Sequence, residues 1–197
     1  MVATTLADVN RELTVVRSKV WPFDLRSAPA AVRRLFAKPT LDAVETVAVL
    51  DHFLLSRERL LAIIAEAGRA PNVPGGGALS THVDSHGYSY PQLWLVQAGT
   101  DYSRFDRFHV NTADDGTGVD EVLQLLSGAG IIIRHRLPGG NVLALHVDCP
   151  NSDAGWLVAY DGGHPHIGSL SSARPGTKAL VQAIGPPRWS VRYTPGA

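Results

Sequence analysis

The sequence has 197 residues, of which 45% are hydrophobic and 18% are charged, a composition typical of globular chains and not of disordered ones. Lysine and arginine equal aspartate and glutamate in number, so the basic excess usual in nucleic-acid-binding proteins is missing. No apolar run reaches the ~18 residues of a membrane span, and no signal-peptide pattern opens the chain. The single cysteine, Cys149, excludes an internal disulfide. We therefore expect a cytoplasmic protein with no nucleic-acid or membrane partner.

The first third of the chain has the hydrophobic period of α-helices. Apolar residues recur at steps of three and four over residues 6–16 and again within 40–68, which predicts amphipathic helices. The second of these patterns is long, and we expect it to break near Ser56. Residues 1–69 are therefore predicted to form a helical N-terminal region with no strand longer than three residues.

The hydrophobic period changes after residues 70–80, a segment rich in glycine and proline that is predicted to be a linker. Residues 81–197 then contain eight short strand patterns separated by turn residues. These patterns are YPQLWLVQA, RFDRFHVNT, GIIIRHRL, NVLALHVD, GWLVAYD, HIGSL, KALVQAI and WSVRYT. One segment between them, GVDEVLQLLSGAG at 118–130, is predicted to be a helix. Eight short strands at this spacing indicate a sandwich or a barrel.

The segment HRLPGGNVLALHVD predicts a β-hairpin with one histidine on each strand. If its two adjacent glycines form a two-residue turn, His135 faces Ala144 and shares a face of the sheet with His146. The two backbones are then about 7–8 Å apart, within reach of one ligand, and the arginines flanking His135 lie on the opposite face. A three-residue loop would shift the register and separate the pair. The alternative is that both histidines are ordinary strand residues.

Two further histidine pairs have the spacing of metal ligands. HVDSH places His82, Asp84 and His86 at alternate positions. HPH places His164 and His166 two residues apart, with a proline between them. Alternate side chains of an extended backbone point to one face, and imidazole with carboxylate is a common donor set for transition metals. Histidines beside glycine-rich loops can also simply face water. The candidate metal ligands are His82, His86, His135, His164 and His166.

The segments HRLPGGN, GWLVAYDGGHPH and GTKALVQAIGPP, in this order, resemble the core of the cupin superfamily over about residues 130–190. Cupins are small β-barrels. Their first motif has two histidines around HxH and then a glutamate, and their second has a turn shortly before another histidine. By this resemblance His135 corresponds to the first histidine and His164 to the histidine of the second motif. Leu137 and Asn141 stand where the second histidine and the glutamate belong, so a complete metal site is not carried over.

The helical period of residues 1–69 together with this resemblance predicts an α+β fold in which the helical N-terminal region packs on a cupin-like antiparallel β-barrel. The barrel mouth would hold the site of a small-molecule enzyme, a lyase or an oxygenase acting on a small polar or aromatic substrate. The hydroxylaminobenzoate lyases show a similar order of parts. The candidate cofactor is a divalent metal (Fe, Mn, Ni or Zn). The expected partner is a small-molecule substrate, and a homodimer is left open. The alternative is a non-catalytic small-molecule sensor or binding module. The candidate catalytic residues are His135, His146 and His164.

Overall fold

The computed structural model describes residues 5–68, 78–79, 92–95, 107–113, 116–185 and 189–195. The helices in these ranges are α1 Leu6–Leu13, α2 Ala30–Leu35, α3 Ala43–Phe53 and α4 Arg57–Glu66, with a 3-10 turn at Thr14–Val16. The strands are β1 Lys19–Asp24, β2 Ala78–Leu79, β3 Gln92–Leu95, β4 His109–Thr112, β5 Asp120–Ser127, β6 Ile131–Arg136, β7 Val142–Val147, β8 Ala154–Asp161, β9 His166–Ser169, β10 Lys178–Gly185 and β11 Ser190–Tyr193. Each of the eight predicted strand patterns contains a strand.

The strands form two antiparallel sheets that pack face to face. One has the order β1-β8-β5-β10-β2, with β3 also paired to β10, and the other has the order β11-β4-β9-β6-β7. Leu123, Val158 and Val181 of the first sheet share one apolar core with Ile133 and Leu145 of the second. This arrangement of helices and antiparallel sheets confirms the α+β class. An isolated β-bridge links Thr112 of β4 to Gly118, shortly before β5. Within the described ranges no pairing between named strands joins the two sheets, so the closed barrel is not confirmed.

Strand β1 corrects the expectation for the N-terminal region. Its six residues pair along their whole length with β8. The helical period ends with the 3-10 turn, and Pro22 lies inside this strand. A proline is tolerated there because β1 is at the edge of its sheet. The prediction of no strand longer than three residues before residue 70 is therefore wrong, whereas the division at 1–69, 70–80 and 81–197 stays a prediction.

The predicted break near Ser56 is confirmed. Helix α3 ends at Phe53, and Ser56 caps α4 by accepting a hydrogen bond from the backbone N–H of Arg59 at 3.2 Å. Leu60 and Ile63 of α4 pack on the outer face of the first sheet. No helix in the described part of the chain is long and apolar enough to span a membrane.

The predicted helix at 118–130 is wrong, because residues Asp120–Ser127 form strand β5. All eight residues of β5 are buried. The strand lies between β8 and β10, with Leu123 facing the core between the sheets and Val122 facing α4. A strand covered on both faces need not alternate apolar and polar residues, and the apolar residues Val122, Leu125 and Leu126 have the three- and four-residue steps of a helix.

The β6–β7 hairpin has a three-residue loop in place of the expected two-residue turn. The backbone N–H of Leu137 donates to the carbonyl of Asn141 at 2.7 Å, so Pro138, Gly139 and Gly140 form the loop. His135 consequently pairs with Leu143. This shift by one residue turns His135 and His146 to opposite faces of the sheet. The prediction that they share a face is wrong. Arg134 and Arg136, expected opposite to both histidines, lie opposite to His135 but on the same face as His146.

Candidate active site

Several polar side chains are buried among the apolar residues between the two sheets. The second sheet contributes a row of histidines, because His109 pairs with His166 and His166 pairs with His135 on three neighbouring strands. The first sheet contributes Glu121 and Tyr160 from the adjacent strands β5 and β8. All five side chains are buried. Buried polar groups are normally paired, so this cluster, called the inter-sheet cluster below, is the strongest candidate for a functional site.

Glu121 lies at the centre of the inter-sheet cluster. Its carboxylate accepts a hydrogen bond from the Tyr160 hydroxyl at 2.7 Å and another from the side-chain amide of Asn111. Its Oε1 atom lies 3.9 Å from Nε2 of His166. Burial raises the pKa of Glu121, and the hydrogen bonds from Tyr160 and Asn111 oppose that effect.

Backbone carbonyls determine which nitrogen of two histidines carries the proton. Nδ1 of His166 lies 2.8 Å from the carbonyl oxygen of His164, and Nδ1 of His109 lies 2.8 Å from that of Arg107. A carbonyl oxygen only accepts hydrogen bonds, so Nδ1 is the protonated nitrogen in both rings. Nε2 of each ring is then an unprotonated nitrogen with a free lone pair. In His166 this atom is buried and has no hydrogen-bond partner among the described residues.

The buried histidines of the inter-sheet cluster are neutral at physiological pH. Burial is the main cause that lowers the pKa of His109 to about 4, of His135 to about 3 and of His166 to about 4. Mutual repulsion between the histidines acts in the same direction for His109 and His135. A neutral imidazole is the form that binds a metal or accepts a hydrogen bond.

Ring spacing separates the histidines into two groups. A metal–imidazole bond is about 2.1 Å and the ring centre lies about 1.15 Å beyond the nitrogen, so two neighbouring ligands at 90–110° have ring centres about 4.6–5.3 Å apart. The rings of His109 and His166 are 4.4 Å apart, close to this range. The ring of His135 is 6.4 Å from that of His166 and 6.5 Å from that of His164, which is too far for neighbouring ligands of one ion. Within the described ranges, no three His, Cys, Asp or Glu side chains are yet arranged to hold a metal ion.

The structure brings together only some of the residues predicted from the sequence. His135 and His166 are buried in the inter-sheet cluster, and His164 is half-buried at its edge with Nε2 donating to the carbonyl of Arg136 at 2.6 Å. His146 is exposed on the outer face of the second sheet, so its geometric link to His135 is lost. His82 and His86 lie outside the described residues.

Sequence reasoning missed His109, Glu121 and Tyr160. Asn111 lies two residues after His109 on β4 and donates its side-chain amide to Glu121. Nε2 of His166, on β9, lies 3.9 Å from the same carboxylate. HVN contains a single histidine and the mistaken helix at 118–130 concealed Glu121, so no local pattern in the sequence joined these residues.

Comparisons with protein-family models and with curated proteins give no match. Among solved structures, the chain is similar to acireductone dioxygenase from Bacillus anthracis with cadmium ion in its active centre, with a TM-score of 0.56. The similarity covers 92% of this chain and 86% of that chain, at 14% sequence identity. Identity this low shows the fold and not the activity. Acireductone dioxygenase is a cupin-fold enzyme, and the protein therefore has the cupin-like fold that its sequence resemblance predicts.

Proposed function

We propose that the protein is a metal-dependent enzyme of the dioxygenase type that acts on a small molecule in the inter-sheet cluster. His109, Glu121 and His166 would hold the metal. The observation that carries this proposal is the unpartnered Nε2 of His166, which is buried 3.9 Å from the carboxylate of Glu121. A buried nitrogen without a partner is unfavourable unless a ligand satisfies it.

The chemistry of these side chains fits a divalent metal. Two imidazoles and one carboxylate form the donor set of many non-haem iron oxygenases. Backbone carbonyls already orient His109 and His166 with Nε2 unprotonated, which is the usual way that proteins prepare histidine ligands. The side-chain oxygen of Asn111 is also buried and unpartnered within the described ranges. The similar fold with cadmium in its active centre supports the same class of site.

A bound metal would supply Lewis-acid and redox chemistry, and the chain would control its surroundings. Tyr160 holds Glu121 through the 2.7 Å hydrogen bond and thereby fixes the direction of the carboxylate. The phenolic proton remains on the Tyr160 oxygen while Glu121 is ionised. Burial between the two sheets excludes bulk water, which strengthens electrostatic interactions at the site.

Elemental analysis of three purified variants tests this proposal. The wild type should contain about one divalent ion per chain, and His109→Ala and His166→Ala should each lose most of it, because each removes a nitrogen ligand. His146→Ala is the matched control, since His146 is exposed on the outer face of the second sheet. A wild type that stays metal-free after incubation with Fe, Mn, Ni or Zn salts would contradict the proposal, as would full metal retention in both cluster variants.

The second candidate function is a non-catalytic small-molecule binding module. It is supported by the lack of an assembled group of three metal-binding side chains in the part of the chain that the structure describes. An oxygen electrode distinguishes the two functions once a ligand is known. The enzyme should consume dioxygen in the presence of metal and ligand, whereas a binding module should bind the ligand with no oxygen uptake.

A further inference from the structure

His135 has a buried nitrogen that neither the described residues nor the proposed metal satisfies. Its side chain is fully buried on the inner face of β6. Nε2 lies 3.4 Å from the hydroxyl oxygen of Ser18. Nδ1 is inaccessible to water and has no hydrogen-bond partner among the described residues. A buried polar atom in this state is rare in native proteins, and a bound molecule is one way to satisfy it.

The Ser18 contact indicates the chemical type of that partner. The Ser18 hydroxyl donates to the carbonyl of Val16 at 3.3 Å, so its oxygen accepts from His135 at Nε2. The proton of the neutral ring is therefore on Nε2, and Nδ1 is an acceptor with a free lone pair. Its missing partner must be a hydrogen-bond donor, such as a hydroxyl group.

The position of His135 makes a bound molecule the source of this donor. Its ring lies 6.1 Å from that of Tyr160 and 6.4 Å from that of His166. These are contact distances between aromatic rings, so His135 packs directly against the side chains beside which the proposed substrate would bind. The distance to His166 is longer than that between neighbouring imidazole ligands of one ion.

We propose that His135 is a positioning residue whose Nδ1 accepts a hydrogen bond from a hydroxyl group of the small molecule bound in the inter-sheet cluster. The inference rests on the proposed function, which places the reacting centre in the inter-sheet cluster. It adds a substrate class: the site should bind molecules with a hydroxyl group more tightly than the corresponding ethers. A site that hydrogen-bonds a substrate hydroxyl discriminates strongly against an analogue without it, because the buried partner is then left unpaired.

The experiment compares phenol with anisole, two probes of similar size of which only phenol donates a hydrogen bond. Calorimetry on the protein as purified should give a dissociation constant at least about tenfold lower for phenol than for anisole, which is the effect of one buried hydrogen bond. His135→Leu should reduce this preference to about twofold or less. His146→Leu, the exposed control, should keep the preference of the wild type.

Two parallel measurements distinguish this role from a structural one and from metal binding. His135→Leu should leave the metal content unchanged and the midpoint of thermal unfolding equal or higher, because it removes an unsatisfied buried group. A structural His135–Ser18 pair predicts a lower midpoint and an unchanged phenol preference. Equal affinity of the wild type for the two probes, or no binding of either, would overturn the inference. The comparison is repeated after removal of metal by a chelator, so it remains decisive even if the metal proposal fails.

Discussion

At the scale of single residues, the buried histidines make the stability of the protein sensitive to acid. The pKa values of His109, His135 and His166 are lowered to about 4, 3 and 4 in the fold, whereas an unfolded chain has a histidine pKa near 6.5. Below about pH 6.5 the unfolded chain therefore binds more protons than the native one, and the free energy of unfolding falls as the pH falls. The raised pKa of Glu121 acts in the opposite sense, because the native protein binds this proton at a higher pH than the unfolded chain.

This effect should be visible in urea unfolding between pH 7.5 and pH 5. Each buried histidine contributes a loss of about 2 kcal/mol over this window, from about 1.4 kcal/mol for each pH unit below 6.5. His135→Leu should make the loss smaller by about 2 kcal/mol, and His146→Gln should leave it unchanged, since His146 is exposed. An identical pH dependence in His135→Leu and the wild type would show that His135 is not held neutral in the fold.

Lys178 is a second residue whose burial has a measurable consequence. Its ammonium group is fully buried and donates to the carbonyl oxygens of Phe36 at 3.2 Å, Lys38 at 2.6 Å and Gly176 at 2.8 Å. It thereby ties the segment after α2 to strand β10. We expect Lys178→Met to lower the free energy of unfolding by about 3 kcal/mol, because buried acceptors lose a charged donor. Lys38→Met is the control, with an expected change within about 0.5 kcal/mol.

At the scale of elements, the length of the β6–β7 loop determines which histidines lie at the candidate site. Gly139 and Gly140 have φ angles of +95° and +90°, a region that favours glycine. A two-residue turn and a three-residue loop both use such glycines, so the composition of the loop did not determine its length. The register that results places His135 in the core and His146 outside it.

The loop conformation can be tested with Gly140→Ala. A Cβ atom at this position meets nothing within 4 Å, so the expected loss of about 1 kcal/mol comes from the positive φ alone. Urea unfolding measures this loss. A neutral or stabilising Gly140→Ala would mean that residue 140 has a negative φ and that the loop differs from the one described.

Strand β5 shows a different limit of sequence reasoning. The eight predicted strands alternate or stand between clear turn residues, and each was found. β5 is covered by α4 on one side and by the second sheet on the other. All its residues are buried, so its sequence does not alternate between apolar and polar residues as a half-exposed strand does. Glu121 lies in β5, and the wrong prediction of a helix there left this central carboxylate out of the predicted site.

At the scale of the whole molecule, the sequence predicted the class of fold better than the site. Local patterns of apolar and turn residues predicted most helices and strands and were the basis of the cupin resemblance. The site depends on contacts between distant strands, such as Glu121 of β5 with Tyr160 of β8 and His109 of β4 with His166 of β9. Local sequence patterns do not predict which distant strands pair. For this reason they favour the exposed His146 over His109 as a site residue.

The central claim is that a divalent metal binds between the two sheets at His109, Glu121 and His166. The most direct test is a crystal structure of the metal-loaded protein with anomalous diffraction recorded at the absorption edge of the metal. We expect one anomalous peak within about 2.0–2.2 Å of Nε2 of both His109 and His166 and of a carboxylate oxygen of Glu121. A peak bound to His135 or His164, or a fully loaded crystal with no peak between the sheets, would contradict the claim.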